Sequence, residues 1–287
     1  MTTTATADTA AAPHNVAAIA PPRAGAVVLT LAMRRLTLMI RTPRSVAIPL
    51  LAPLLFALVV APALGNTLGA SGSHTTYMTF VALSAAGLLI PVNCMFAGLG
   101  VLTDRQQGAL RELLVAPIGR AAIVLGNLLA ALAVTTMQVV VLILAAAARG
   151  ANFRTGGHLL WFVAAALAFA VFVYGLAELF TTRISNAEEY TALVPPIAIV
   201  PFFFAGTLYP LTSLPGWLAG FAKVLPLTHA VALFRYGLTD QGAQALHNIW
   251  GGSHPVASAW ASLAVVLGYA IAALTLAMRL FARAGTS

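Results

Sequence analysis

Six stretches of the sequence are long and apolar enough to cross a lipid bilayer as helices, which takes about 20 residues each. We place these spans at about 45–65, 78–102, 121–148, 158–180, 191–209 and 256–278, and the only charged residue inside them is Glu178. A charge at the centre of such a helix costs about 2.5–3.5 kcal/mol on insertion. Stretches without charge are therefore what a membrane requires.

The overall composition supports a membrane protein. Of the 287 residues, 60% are apolar and 8% are charged, against about 45–50% and about 25% in typical globular proteins. So few charges exclude a soluble enzyme, a disordered chain and a nucleic-acid-binding protein, although the net charge is +8. A single cysteine, Cys94, excludes an internal disulfide and a cysteine-rich metal site. We predict an all-α integral membrane protein with six spans.

The positions of the basic residues predict the orientation in the membrane, because Lys and Arg concentrate on the cytoplasmic side. If the N-terminus is cytoplasmic, the outer side holds four of the 15 basic residues, Arg149, Arg154, Lys223 and Arg235. The cytoplasmic side then holds the other eleven: Arg23, Arg34, Arg35, Arg41, Arg44, Arg105, Arg111, Arg120, Arg183, Arg279 and Arg283. Both termini are therefore expected in the cytoplasm.

The N-terminal region divides into two parts. Residues 1–25 begin as an Ala/Thr/Pro-rich stretch that makes a poor signal peptide, and we interpret them as a disordered cytoplasmic tail ahead of a single transmembrane domain, 26–285. On a helix over 26–42, Leu29, Met33, Leu36 and Ile40 share one face, and Arg34, Arg35 and Arg41 lie away from it. This pattern favours a helix in the membrane interface, with arginines reaching lipid phosphates. The alternative is that the segment lengthens the first span.

The segment between the fifth and sixth spans is apolar but interrupted. Pro215 and Pro226 divide it into pieces of 11–14 residues, which are too short to cross a bilayer. We predict two short helices, at about 214–224 and 227–237, within a re-entrant region, 210–237, on the outer side. Such helices are tolerated at membrane depth only when they pack against protein.

The most polar internal segment is the loop 103–120, which this topology places in the cytoplasm. Thr103 and Gln106 have the spacing of a capping box that opens a short helix. The leucines Leu110, Leu113 and Leu114 share one face of that helix, and Pro117 ends it. Two interpretations remain open: the leucines bind a cytoplasmic partner, or they pack on the chain's own spans.

The sequence contains no motif that would supply energy for transport. A P-loop needs a Gly-Lys pair, and the only lysine, Lys223, follows Ala222. Six scattered histidines predict no metal site. Ion-coupled carriers place ionisable groups near the membrane midplane, whereas Glu178 lies near a helix end. We interpret Glu178 as an interfacial carboxylate, with Arg183 as its candidate partner, in preference to a proton-coupling group. If the chain is a transporter, its energy therefore comes from outside the chain.

Two motif regions resemble a known family. The first is Asp104-Arg105, Gly108, Leu110, Leu113-Leu114 and Pro117, although the family often has a glutamate where this chain has Gln106 or Gln107. The second comprises Phe204–Pro210, Leu214–Trp217, Pro226–Ala230 and Arg235. On these residues the chain resembles, over about 25–285, the membrane permease subunits of type-2 ABC exporters of the daunorubicin-resistance kind.

The resemblance implies a multi-pass permease of a bacterial cell membrane, paired with a second copy or a paralogue and with cytoplasmic ABC ATPase subunits. ATP and Mg²⁺ would be held by the ATPase, so the chain itself is not an enzyme and carries no cofactor. The loop would be the coupling helix, and segment 26–42 the connecting helix. The implied coupling residues are Asp104, Arg105, Gly108, Leu110, Arg111, Glu112, Leu113 and Leu114.

An amphipathic drug or lipid-like substrate would cross between the two protomers along the second and fifth spans, surrounded by membrane lipid. The candidate lining residues are Asn93, Phe96, Phe202, Phe203 and Phe204. Two alternatives remain: a permease for a polysaccharide or cell-wall lipid, and a membrane scaffold that does not transport. An integral membrane enzyme is disfavoured, because no acid/base pair or metal-ligand set converges near one membrane face.

Overall fold

A computed structural model of the protein describes residues 23–55, 58–59, 74–116, 118–239 and 242–284, and within them the chain is helical without β-strands. The predicted all-α class is therefore confirmed. Most of the predicted N-terminal tail, most of the first span beyond Leu55, and Pro117 lie outside the described residues. The helices are α1 (Ala24–Arg41), α2 (Pro43–Leu55), α3 (His74–Gln106), α4 (Ala109–Val115), α5 (Arg120–Ala148), α6 (Leu159–Arg183), α7 (Ala187–Phe204), α8 (Gly216–Ala222), α9 (Pro226–Leu238), α10 (Gly242–Trp250) and α11 (Pro255–Ala284).

Four of the described helices are long and apolar enough to cross a membrane, and they coincide with the predicted second, third, fourth and sixth spans. Their apolar segments are Met78–Gln106, Arg120–Ala148, Leu159–Arg183 and Pro255–Arg283. At a rise of 1.5 Å per residue, even 25 residues reach about 37 Å, more than the hydrocarbon core of about 30 Å. The total of six spans stays a prediction.

Helix α7 occupies the place of the predicted fifth span but differs from it at both ends. Its first turn carries Glu188 and Glu189, and it ends at Phe204, so residues 205–209 form a turn. Pro195, Pro196 and Pro201 lie inside the helix. Prolines are tolerated in membrane helices where neighbouring groups satisfy the freed backbone.

The two short helices α8 and α9 meet at a bend of 80°, the geometry of either a broken span or a re-entrant loop. Pro226 occupies the first turn of α9 and so starts a new helix direction. Helix α9 is almost entirely buried against α6, α10 and α11, whereas Trp217 and Phe221 on α8 remain exposed. The pair therefore packs on protein through α9, as the short-helix prediction requires.

Helix α6 lies at the centre of the bundle and packs against α3, α9 and α11. Gly175 allows the closest approach: a Cβ there would lie 2.9 Å from the backbone of Ala273 in α11. Small residues at such crossings bring helix backbones together in membranes, where no hydrophobic force drives association. One end of α6 contacts the α3–α4 connection described below, and the other end packs on α9.

Helix α1 is separate from α2, which covers the described beginning of the predicted first span. It ends at Arg41, and α2 starts at Pro43, because the residue before a proline is disfavoured in a helix. The interfacial interpretation is thus favoured over a lengthened first span. Leu29, Met33 and Ile40 are exposed, as expected for a face that contacts lipid. The opposite side of α1 packs on α5, where a Cβ on Gly126 would lie 2.7 Å from Cβ of Leu31.

Candidate functional site

The connection between α3 and α4 forms a sharp corner at Gly108, and we call residues 100–116 the α3–α4 corner. Gly108 has φ of 81°, in the left-handed region that glycine adopts without strain. Its carbonyl accepts the backbone N–H of Arg111 at 2.9 Å, which starts α4. The predicted capping box is wrong: α3 continues through Thr103 and Gln106, and the Thr103 hydroxyl donates within α3 to the Leu99 carbonyl.

Asp104, in the last turn of α3, binds two arginines of α1. Its Oδ2 atom lies 3.3 Å from Nη1 of Arg34 and 3.2 Å from Nη1 of Arg35. Asp104 and Arg35 are 8% and 6% exposed. Our prediction that these arginines reach lipid phosphates is wrong for Arg35, which points into the protein because a carboxylate is there to neutralise it. Breaking such a buried pair from one side is strongly destabilising.

The guanidinium of Arg35 lies directly on Gly100, one turn before Asp104. A Cβ at Gly100 would be 1.3 Å from Nη2 of Arg35, so any larger residue displaces the arginine. The glycine thus makes room for the ion pair. The sequence separates these partners by 65 or more residues, and no local pattern indicates the contact.

The two residues after Asp104 contact the C-terminal end of α6. Arg105 donates from Nη1 to the Thr181 carbonyl at 3.3 Å, and Gln106 donates from Nε2 to the Ser185 carbonyl at 3.1 Å. A cation near the last carbonyls of a helix is favourable. The corner is therefore joined to α1 through Asp104 and to α6 through Arg105.

Helix α4 presents its charged side to solvent. Arg111 and Glu112 are exposed, and Leu110, Leu113 and Leu114 are half-buried, which favours leucines that pack partly on the chain itself. Val115 is 87% exposed. Val115 is not among the predicted coupling residues, although its position four residues after Arg111 places both on one helix face.

Beneath the corner, Glu178 is buried in the protein and does not pair with Arg183 as predicted, whereas its position near the membrane interface stays a prediction. It accepts hydrogen bonds from the hydroxyls of Tyr174 and Thr181. Arg183, its predicted partner, is exposed. Glu178 lies on the face of α6 that packs into the protein core, so the neutral hydroxyls of Tyr174 and Thr181 reach the carboxylate and Arg183 does not.

A cavity of about 500 Å³, which we call the α1–α3 cavity, lies between α1, α2, α3 and α5. Phe96, Ile48 and Val134 contribute apolar walls, and Arg44 and Asp104 line it as well. Asn93 also lines the cavity, but its amide donates to Gln138 on α5. This cavity combines an apolar lining with charged groups. Within the described part of the chain, no group of three His, Cys, Asp or Glu side chains could hold a metal ion.

Comparison with known proteins matches residues 26–239 to the ABC-2 type transporter family. The chain belongs to this family. The match includes the corner and the α1–α3 cavity and ends after α9. It confirms the resemblance that the motifs indicated.

Individual relatives of this ABC-2 permease carry transport names. It is 31% identical over 188 residues to the probable doxorubicin resistance ABC transporter permease protein DrrC of Mycobacterium tuberculosis, covering 64% of the chain and 66% of the relative. It is 27% identical over 165 residues to the putative transport permease ycf38 of Porphyra purpurea, covering 57% and 56%. It is 25% identical over 154 residues to the probable multidrug ABC transporter permease YbhR of Escherichia coli, covering 53% and 42%. The chain therefore matches just under two thirds of the first relative's length.

In the ABC-2 permease, the five residues predicted to line the substrate path lie in two separate places. Asn93 and Phe96 line the α1–α3 cavity, whereas Phe202, Phe203 and Phe204 at the end of α7 line neither that cavity nor the larger one described below. Phe202 is buried, Phe203 is 48% exposed, and Phe204 packs edge-on against Phe221 at 6.1 Å. Within one chain these residues do not form a continuous path.

Proposed function

We propose that this ABC-2 permease is the membrane-spanning subunit of an exporter that moves an amphipathic drug or lipid-like molecule out of the cell, powered by a separate ATPase. The observation that carries the proposal is helix α4, which presents a charged face to solvent while the preceding residues are joined to α1 and α6 by charged contacts. The name of the doxorubicin-resistance relative supports the same direction and substrate class.

The exposed face of α4 is our candidate for the ATPase contact. Arg111, Glu112 and Val115 combine both signs of charge with one exposed apolar group, and an ATPase with a complementary groove would bind them. The ATPase would hold ATP and Mg²⁺. When ATP binds, the two ATPase subunits would close on each other and move α4. The contacts of Asp104 and Arg105 would carry the movement to α1 and α6. Such a partner drives a change only by binding one conformation better than the other.

The α1–α3 cavity is our candidate for the first part of the substrate path. Its apolar walls and the exposed Arg44 suit a molecule with both apolar and polar parts. Phe203 would be reached from a second protomer, either another copy or a paralogue, because its ring is exposed on the surface of this one. The distribution of Lys and Arg supports an orientation with α4 and both termini in the cytoplasm.

Co-expression with a candidate ABC ATPase tests the proposal, with an ATPase encoded beside this chain as the first choice. The expected result is co-purification and ATP hydrolysis that increases when doxorubicin is added, with transport of the drug into inside-out vesicles. Failure of every candidate ATPase to associate would contradict the proposal. An ATPase that binds but hydrolyses ATP equally with and without the permease would favour a scaffold that does not transport.

A further inference from the structure

A second, larger cavity of about 740 Å³ lies at the end of the bundle opposite the α3–α4 corner, and we call it the α9–α10 cavity. Its walls come from the first turns of α3, the loop after α5, the turn at 205–212, and helices α9 and α10. Phe80 in this wall is about 39 Å along α3 from Gln106, at 1.5 Å per residue. The two regions are therefore separate sites.

The charged group in the wall of this cavity is Arg235 of α9. Its guanidinium donates from Nη1 to the Gly206 carbonyl at 2.9 Å. From Nη2 it donates to the Thr207 carbonyl at 3.0 Å and to the Ser84 hydroxyl at 3.3 Å. The guanidinium carbon also lies 3.9 Å from the centre of the Phe80 ring. Arg235 is thus fixed in position before any ligand arrives.

The partners of Arg235 leave both a charge and a donor unsatisfied. All of its contacts are to neutral groups, and the ion pairs in the described part of the chain are those of Asp104 at the opposite end. Its Nε–H is buried and has no acceptor. Buried donors in native structures nearly always have a partner, so such an atom indicates a water, an ion or a ligand. A guanidinium suits carboxylate and phosphate oxygens in particular.

Among the described residues, the charged groups that line the cavity are basic and favour an anion. The described carboxylates, Asp104, Glu112, Glu178, Glu188 and Glu189, all lie toward the other end of the bundle. Arg154 lines the cavity together with Arg235. The amides of Asn152, Gln244 and Asn248 add groups that can donate and accept hydrogen bonds.

We propose that the α9–α10 cavity binds the anionic headgroup of an organic molecule, with a phosphate or carboxylate on Arg235 and further polar parts against Asn152, Gln244 and Asn248. A cavity of about 740 Å³ lies within the range of pockets for organic ligands, about 300–1,000 Å³, and greatly exceeds one phosphate. The contacts to Gly206 and Thr207 explain how Arg235 holds the turn after α7. They do not explain why a full charge is placed there or why Nε–H lacks an acceptor.

Two probes distinguish a lipid from a soluble ligand. The full chain in nanodiscs of phosphatidylglycerol and phosphatidylcholine is ejected into a native mass spectrometer, and the ratio of the two retained lipids is measured. In parallel, sn-glycerol 3-phosphate is titrated calorimetrically into the same nanodiscs made of phosphatidylcholine alone. Preferential retention of phosphatidylglycerol identifies a lipid headgroup site, and calorimetric binding identifies a site for a soluble organic phosphate.

Three variants test the location. Arg235→Gln removes the charge, and Ala245→Phe fills the cavity from α10 while keeping Arg235. Each is expected to weaken the observed binding by at least about tenfold, the range for lost hydrogen bonds to charged groups. Arg149→Gln, which removes an exposed arginine outside the cavity, is the control and is expected to leave binding unchanged. If Arg235→Gln fails to fold, Ala245→Phe alone decides.

The proposal is overturned if the wild type binds neither probe. It is also overturned if Ala245→Phe binds as the wild type does, or if Arg149→Gln weakens binding as much as Ala245→Phe. None of these three results depends on an ATPase partner or on transport. A failure here therefore leaves the proposed exporter function standing, and a failure of that function leaves this site standing.

Discussion

The α3–α4 corner and the α9–α10 cavity each place an arginine against α3, but they treat its charge differently. Arg35 lies on Gly100 and shares the carboxylate of Asp104 with Arg34. Arg235 lies on Phe80 and meets carbonyls and a hydroxyl only. A neutralised buried arginine joins two helices, whereas an arginine without a counter-charge remains able to attract one. The first arrangement suits transmission of movement, and the second suits binding.

Asp104→Asn tests the first half of this comparison and should have the largest effect. It leaves Arg35 buried without a carboxylate, and breaking a buried ion pair from one side costs about 3–5 kcal/mol. We expect a large decrease in the free energy of unfolding, measured by chemical denaturation in detergent. The double variant Asp104→Asn/Arg35→Gln should recover part of the loss, because it also removes the unpaired charge. Unchanged unfolding in the single variant would mean that the ion pair does not hold α1.

Gly100→Ala tests the space rather than the charge. A methyl group at Gly100 would overlap the guanidinium of Arg35, and forced overpacking costs about 1–3 kcal/mol. The matched control is Gly268→Ala, which also lies inside a long helix and where a Cβ meets nothing within 4 Å. We expect a lower unfolding midpoint for Gly100→Ala and no decrease for the control. Equal midpoints would show that Arg35 moves aside without cost.

Arg235→Gln tests the second half of the comparison. It loses three hydrogen bonds to neutral groups but also removes a buried charge that has no counter-ion, and these effects oppose each other. We expect a net destabilisation of about 1 kcal/mol, clearly less than that of Asp104→Asn in the same denaturation assay. If Arg235→Gln is the more damaging change, Arg235 is mainly a structural clamp on the turn after α7.

The sequence was sufficient to predict the positions of helices, because these depend on local patterns of residues. Charge-free stretches located the long helices, Pro215 marked the start of α8 and Pro226 the start of α9, and the leucine spacing indicated the helix α4. The contacts that distinguish the two regions could not be predicted in this way. Asp104 lies 69 residues from Arg35, and Arg235 lies 151 residues from Ser84. Sequence spacing carries no information about which distant helices meet.

The errors have the same origin. The amphipathic pattern of its own helix predicts that Arg35 contacts lipid phosphates. The spacing of five residues predicts that Glu178 pairs with Arg183. In each case the helix packs with that side chain inward, where Asp104 and Tyr174 are available. Thr103 and Gln106 have capping-box spacing, yet α3 continues through them. The capping-box spacing predicts a helix start here, but the longer helix α3 runs through both residues.

Glu112→Lys should have the smallest effect on stability and the most specific effect on function. Glu112 is exposed in the first turn of α4, and Glu189 is exposed in the first turn of α7 at the same end of the bundle. Reversing either charge loses a similar helix-dipole interaction, about 0.3–1 kcal/mol, so Glu189→Lys is a matched control. If α4 contacts the ATPase, only Glu112→Lys should abolish doxorubicin-stimulated ATP hydrolysis, with a loss of about tenfold or more as at interface hot spots.

Val115→Asp extends that test to the apolar part of the same face. Val115 is exposed, so the change should leave unfolding within about 0.5 kcal/mol of the wild type while weakening co-purification of the ATPase. Leu113→Arg is a less informative variant, because Leu113 is half-buried and its replacement also disturbs the packing of α4. Wild-type coupling in both Glu112→Lys and Val115→Asp would exclude the outward face of α4 as the contact. The half-buried leucines would then be the remaining surface of α4 through which an ATPase could bind. To present them fully, α4 would have to detach from the bundle.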